Sequence, residues 1–203
     1  MTAIKSEYQK FFPDNFSLET PRVLLRLVTP QDYEAFLPLT KDKDIWTYFS
    51  KDLGNEQELK DWMQKLFEER SEELRMPFTV IDKHSNEICG STSFLNISFF
   101  DRRLEIGSTW LGTSFIGTGV NRQAKFALLS FAFEVMKMER VEIKTDNLNE
   151  RSKAALLKVG MKPEGVLRSH MLVHGNRRRD TLYFSILRSE WEERRSNFFP
   201  EML

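Results

Sequence analysis

Gly117 and Gly119 stand between an apolar run that ends at Leu111 and a long helical pattern that begins at Val120. Glycine adopts positive φ without strain and lets the main chain approach a ligand. The first turn of a helix adds unpaired N–H groups and the positive end of a dipole. The stretch Trp110-Leu-Gly-Thr-Ser-Phe-Ile-Gly-Thr-Gly-Val-Asn-Arg-Gln-Ala-Lys125 therefore has the composition of an anion cradle, with a phosphate-bearing cofactor as its natural guest. A simple turn into a helix would use the same two glycines. Nucleotide hydrolysis is disfavoured, because a Walker loop needs Lys and then Ser or Thr after its second glycine, and Val120 and Asn121 stand there. A dinucleotide fingerprint is weak as well, since Arg122 occupies the place of its third small residue.

A second cluster follows in Asp146-Asn-Leu-Asn-Glu-Arg-Ser-Lys-Ala-Ala-Leu-Leu-Lys-Val-Gly-Met161. Asn149 and Ser152 are spaced so that both can point along the mouth of a cleft shared with the glycine loop. Asn149 could equally serve only as a helix cap.

These residues need elements to hold them. Alternation over Arg22–Leu27 predicts a first strand, and Thr29-Pro30 with Asp32 opens a helix. Leu59, Trp62, Met63, Leu66 and Phe67 recur at helical spacing and predict a helix from Glu56 to about Leu74. Strands are expected at Phe78–Ile81, Ile88–Ile97 and Leu104–Leu111, and again at Val141–Thr145, Met161–Val173 and Thr181–Leu187. Helices are expected from Val120 through Val135, from Asn149 to Val159 and from Ser189 to Asn197. The polar run His174–Arg179, which holds Arg177, Arg178 and Arg179, is expected to be an exposed hairpin; an exposed run of this kind is usually solvated, although it could meet an acidic substrate or a phosphate. The order implies an α/β (mixed α+β) fold with a mostly antiparallel sheet of about seven strands and helices on both faces.

The 203 residues suit one domain, read as residues 17–203 behind an N-terminal extension of residues 1–16. Thirty basic residues balance thirty acidic ones, so no global field favours nucleic acid or a membrane surface as the main partner. A lone Cys89, no signal-like start and no long apolar segment fit a cytoplasmic protein. His84, His170 and His174 show no metal-ligand spacing, and no metal is expected. Oligomeric state is open, with a homodimer among the options.

Taken together, the glycine loop and the later Asn-x-x-Ser resemble the GCN5-related N-acetyltransferases, most closely the RimJ/RimL type that acetylates ribosomal-protein N-termini. The resemblance runs from about Pro21 to Trp191. It is carried also by Glu105-Ile-Gly-Ser-Thr-Trp-Leu111, Glu164-Gly-Val-Leu-Arg168 and Arg179-Asp-Thr-Leu-Tyr-Phe-Ser-Ile-Leu187. One departure stands out: Ser114 replaces the Gln or Arg that usually begins the loop pattern.

The resemblance implies a sheet splayed between the fourth and fifth strands and acetyl-CoA as co-substrate. Trp110 and Leu111 would offer backbone groups to the pantetheine arm, while Ile116, Gly117, Thr118, Gly119, Val120 and Asn121 wrap the pyrophosphate. Asn149 would bond the pantetheine, and Ser152 would lie near the thioester sulfur. The acceptor would be an amine-bearing peptide, a protein N-terminus or a small molecule, attacking directly. Glu105 is the candidate base and Tyr183 a candidate proton donor, although a surface ion pair or core packing would explain them too. Near pH 7 an α-amine with pKa about 8 costs roughly 1.4 kcal/mol to deprotonate, against roughly 4.6 kcal/mol for a lysine near 10.4. An α-amine is thus the easier acceptor. A CoA-holding or ligand-sensing module without turnover is the alternative, suggested by Ser114.

Overall fold

The computed structural model describes residues 6–202. Eight strands form one sheet: β1 (Ser17–Glu19), β2 (Val23–Leu27), β3 (Arg75–Asp82), β4 (Glu87–Ser98), β5 (Arg103–Leu111), β6 (Arg140–Asp146), β7 (Lys162–Val173) and β8 (Arg177–Leu187). Their spatial order is β1-β2-β3-β4-β5-β6-β8-β7, and every pairing is antiparallel except that of β5 with β6. The strand beyond the expected seven is β1. Its three residues are too few to show alternation, and its pairing to Leu24–Arg26 defines it.

Helices cover both faces. Tyr8 next to Phe11 in α1 (Glu7–Phe11), most of α4 (Val120–Ser130) and Trp191 of α6 (Arg188–Phe198) join one apolar cluster with β2–β6. On the other face, α2 (Asp32–Leu39), a 3-10 turn at Lys43–Tyr48 and α3 (Glu56–Ser71) bury Phe36, Trp46, Leu59, Met63 and Leu66 around Trp110. Residues 6–16 are thus built into the core through Tyr8 and Phe12, and residues 1–5 of that stretch lie outside the described residues. The helix expected to run unbroken to Val135 changes at Phe131 into a π turn, closed by the Met136 N–H donating to the Phe131 carbonyl. Cys89 is fully buried, and burial pushes its thiol pKa up to about 12. Among the described residues no helix is long and apolar enough to cross a membrane.

Two irregularities prepare the site. Between the pairs Ser93–Gly107 and Ser91–Trp110, β5 spends one more residue than β4, a bulge at Ser108 and Thr109. One extra residue reverses the facing of everything after it. Leu104 and Ile106 therefore enter the α4 cluster, while Trp110, of the same parity, enters the α2/α3 cluster. Gly90 permits the close approach of β4 here, since a Cβ on it would stand 2.2 Å from the Trp110 carbonyl oxygen.

Secondly, β5 and β6 pair only from Arg103–Arg140 to Glu105–Glu142. Beyond Glu105 they separate, which is the splay expected between the fourth and fifth predicted strands.

Candidate functional site

Two cavities open at the splay. The loop-side cavity, about 470 Å³, is lined by Trp110, Leu111, Ile116, Gly117, Gly119 and Asn121 together with one face of α5 (Glu150–Leu157). The hairpin-side cavity, about 370 Å³, is lined by Tyr48, Phe49, Asn96, Glu105, Lys125, Lys144 and Arg179 among others. Thr109, Asn149 and Ser152 belong to both walls. The parting of two strands has thus produced two cavities that adjoin at these three residues and together make a passage with two different ends.

On the loop side, Gly119 is the N-cap of α4 with φ +95°, and Gly117 has φ +79°. No side chain caps the helix, and the N–H groups of Gly117 through Arg122 donate to no protein acceptor among the described residues. The Ile116 N–H is different, since it donates to the Thr113 carbonyl. That residue contributes surface rather than a donor. Val120 turns its side chain into the core and leaves only its N–H at the loop. Arg22 pins the loop from beneath by donating to the Thr118 carbonyl while paired to Asp82 at 2.9 Å. The hydrogen bond from Arg22 holds the Asp82 pKa below the usual carboxylate range even against burial.

Among the described residues the wall contains Arg151, Lys158 and Arg122, the last paired to Glu201 at 2.8 Å, and no Asp or Glu lines it, so the field inside favours an anion. Trp110 and Asn121 belong to this wall, and Trp110 Nε1 and Asn121 Oδ1 are buried without hydrogen-bond partners among the described residues. Ser114 lies exposed on a 3-10 turn (Thr113–Phe115) outside this wall.

Asn149 does cap α5: its Oδ1 accepts the Ser152 N–H at 3.0 Å. The cap uses Oδ1, so the Asn149 amide NH2 remains for the passage. Ser152 sits one turn in, beside it.

The hairpin side is made of charges. Glu105 is 8% exposed, and its Oε2 accepts from Lys144 Nζ at 2.6 Å and from Asn96 Nδ2 at 2.7 Å. Its Oε1 has no protein partner among the described residues and faces Gly107. One oxygen is therefore held and the other is open. Burial works against the Lys144 ammonium, but the hydrogen bond and charge of Glu105 outweigh it and hold the Lys144 pKa above its ordinary value. Tyr183 lines neither cavity; its ring lies 4.9 Å from Lys144 Nζ, a cation–π contact that steadies the lysine.

Lys125 was not anticipated. It projects from α4 with 3% exposure, donates to Thr109 Oγ1 at 2.7 Å, and Thr109 in turn meets Thr92 Oγ1 at 2.8 Å. Burial lowers the Lys125 pKa to about 7. A signal existed in the sequence: position 125 falls one turn before Leu129 on the wide apolar stripe, where a cation is out of place.

The arginine run also differs from expectation, for Arg177, Arg178 and Arg179 belong to β8 and only His174–Asn176 turns. Pairing to Met171, Leu172 and Val173 satisfies their main chain and sends the three side chains to different destinations.

A family model described as an acetyltransferase (GNAT) domain matches residues 22–162. The chain belongs to the GNAT acetyltransferases. As a member of that family it is an N-acetyltransferase. It is 28% identical over 179 residues to YdaF of Bacillus subtilis (strain 168), a protein provisionally named a ribosomal N-acetyltransferase; the match covers 84% of this chain and 93% of YdaF. That likeness supports the RimJ/RimL-type branch. A GCN5-related N-acetyltransferase from Brucella melitensis superposes with TM-score 0.84 at 26% identity, covering 94% of this chain and 87% of that one. RimJ of Mycobacterium smegmatis, solved in complex with CoA-disulfide, has the same fold with TM-score 0.76 at 23% identity, covering 89% and 90%.

Proposed function

We propose that this GNAT protein transfers the acetyl group of acetyl-CoA to the α-amine of a peptide, a protein N-terminus or a small amine by direct attack within the splay. The carrying observation is that an anion cradle and a buried carboxylate with one open oxygen occupy opposite ends of a passage sharing Thr109, Asn149 and Ser152. Acetyl-CoA, when bound, supplies an activated acyl carbon and a thiolate leaving group.

The free N–H groups from Gly117 to Asn121 hold the pyrophosphate, as a helix N-terminus holds other phosphates. Basic side chains at Arg151 and Lys158 favour the rest of the anion. Trp110 and Leu111, on the edge of β5 that no longer pairs with β6, present main-chain groups to the pantetheine arm, and the Asn149 NH2 binds it from the α5 side. Backbone N–H groups of the same edge stabilise negative charge that develops on the acyl oxygen. In this reading the Ser152 hydroxyl donates to the departing thiolate.

Glu105 Oε1 accepts the proton of the incoming ammonium, directly or through one water. Lys144 and Asn96, both on Oε2, fix the orientation of the carboxylate, and Tyr183 contributes through Lys144. The name of YdaF supports a ribosomal protein as the kind of acceptor.

A thiol-release assay with a panel of N-terminal peptides and small amines tests this reading. Release well above the buffer rate, together with a higher melting temperature in the presence of CoA, is expected. Neither effect with any acceptor would remove the proposal.

A further inference from the structure

The three neighbouring arginines of β8 have separate fates. Arg177 donates to Asp146. Arg178 is exposed and bonds back to Ser169, its Nε to Oγ at 2.9 Å. Arg179 points into the hairpin-side cavity; it makes no hydrogen bond or ion pair among the described residues, and its Nε is buried without an acceptor. Desolvation pulls its pKa below the ordinary arginine value, though Asp146 and Glu105 act the other way. An arginine still carries its charge.

The carboxylates that could answer it are already engaged. Glu105 is held by Lys144 and Asn96, and Asp146 by Arg177 and the N–H of Leu148 at 2.9 Å. With these pairs formed, Arg179 is an unanswered cation in the wall, and Lys125 on the opposite side adds none of the missing negative charge. A guanidinium presents a planar fork of donors that matches a carboxylate in two-point contact. Glu105 Oε1, which receives the amine in the reading above, lines the same cavity.

We propose that the acceptor carries a carboxylate close to its reactive amine, and that Arg179 binds this carboxylate while Glu105 faces the amine; the inference rests on the acetyl-transfer reading only for the identity of the second group. The carboxylate has two sources, the α-carboxylate of a free amino acid or an acidic side chain just behind a peptide N-terminus. Arg179 selects among acceptors under either.

Two matched pairs separate the sources: L-alanine against L-alaninamide, and amidated peptides beginning Ala-Asp against Ala-Asn. Each is followed by thiol release and by the melting temperature in the presence of CoA. The wild type is expected to prefer the carboxylated member of one pair by about 10- to 100-fold in kcat/KM, the usual worth of a charge-assisted hydrogen bond. Arg179→Gln should bring that ratio towards one, Arg179→Lys should retain part of it, and Arg178→Gln should leave it in place. A preference in the alanine pair assigns the α-carboxylate, and one in the peptide pair assigns the side chain. Equal turnover within both pairs by the wild type overturns the inference and leaves acetyl transfer standing. If no probe is turned over, a carboxylate-dependent rise in melting temperature that Arg179→Gln abolishes supports the site, and acetyl transfer is judged on the wider acceptor panel. No such rise overturns the inference.

Discussion

The two ends of the passage are built on different principles. The loop side is made of main chain: adjacent N–H groups, two glycines with positive φ and a wall with basic but no acidic side chains. In the proposed reading its affinity is for negative charge in general. The hairpin side is made of side chains from β4, β5, β6, β8 and α4, in which each carboxylate is matched to a cation and one arginine is left over. Generic chemistry is thus fixed by backbone and discrimination by side chains. A main-chain cradle survives most substitutions, whereas a network of paired charges changes its preference when any one member changes.

The largest test of that division is Glu105→Gln, which leaves the shape of the hairpin side but removes its proton acceptor. Turnover should fall by about 10²-fold or more, with the CoA dissociation constant nearly unchanged by titration. A parallel loss of CoA binding would show that the two ends are not separable. Gly119→Val strikes the other end. A β-branched residue at φ +95° is strained by roughly 1 to 3 kcal/mol, so CoA affinity should weaken about tenfold or more, measured by calorimetry. Unchanged affinity would mean that the N–H cradle is not what holds the phosphates.

The test with the smallest expected effect on turnover or CoA binding concerns Lys125 and is read in stability. Its folded pKa of about 7 lies below the unfolded value of 10.5, so between those pH values the unfolded chain binds more protons and wild-type stability rises with pH. The contribution is fully present above 10.5 and lost as pH falls through 7. Lys125→Met should erase that rise and, below pH 7, be as stable as the wild type or up to a few kcal/mol more so, as replacement of buried charge often is. Urea unfolding across pH 6 to 10 reads the difference between the two proteins. Equal slopes would place the ammonium in water rather than in the core.

What could be read in advance follows the same line. Gly117, Gly119 and the helix after them lie within a few residues of one another, and so do Asn149 and the Ser152 N–H that it caps. Local spacing is enough to specify such geometry. The strand β1 and the inclusion of the arginine run in β8 escaped because three residues show no period and long cationic side chains conceal alternation.

The charge network was beyond reach for another reason. Lys144 and Glu105 are 39 residues apart, Arg177 and Asp146 are 31, and Lys125 and Thr109 are 16. The residues at each end are ordinary surface types whose partners depend on strand register.

The sequence by itself determined the family, the mixed sheet and the glycine loop that opens a helix with unpaired N–H groups, because periodicity, glycine conformation and helix termini are consequences of neighbouring residues. Only the tertiary structure decided that β5 gains a residue at Ser108–Thr109, that Glu105 keeps one oxygen free and that Arg179, alone of the three arginines, lines the hairpin-side cavity without a partner. Those outcomes depend on which strand lies beside which and in what register, and that choice is made by the packing of the whole sheet.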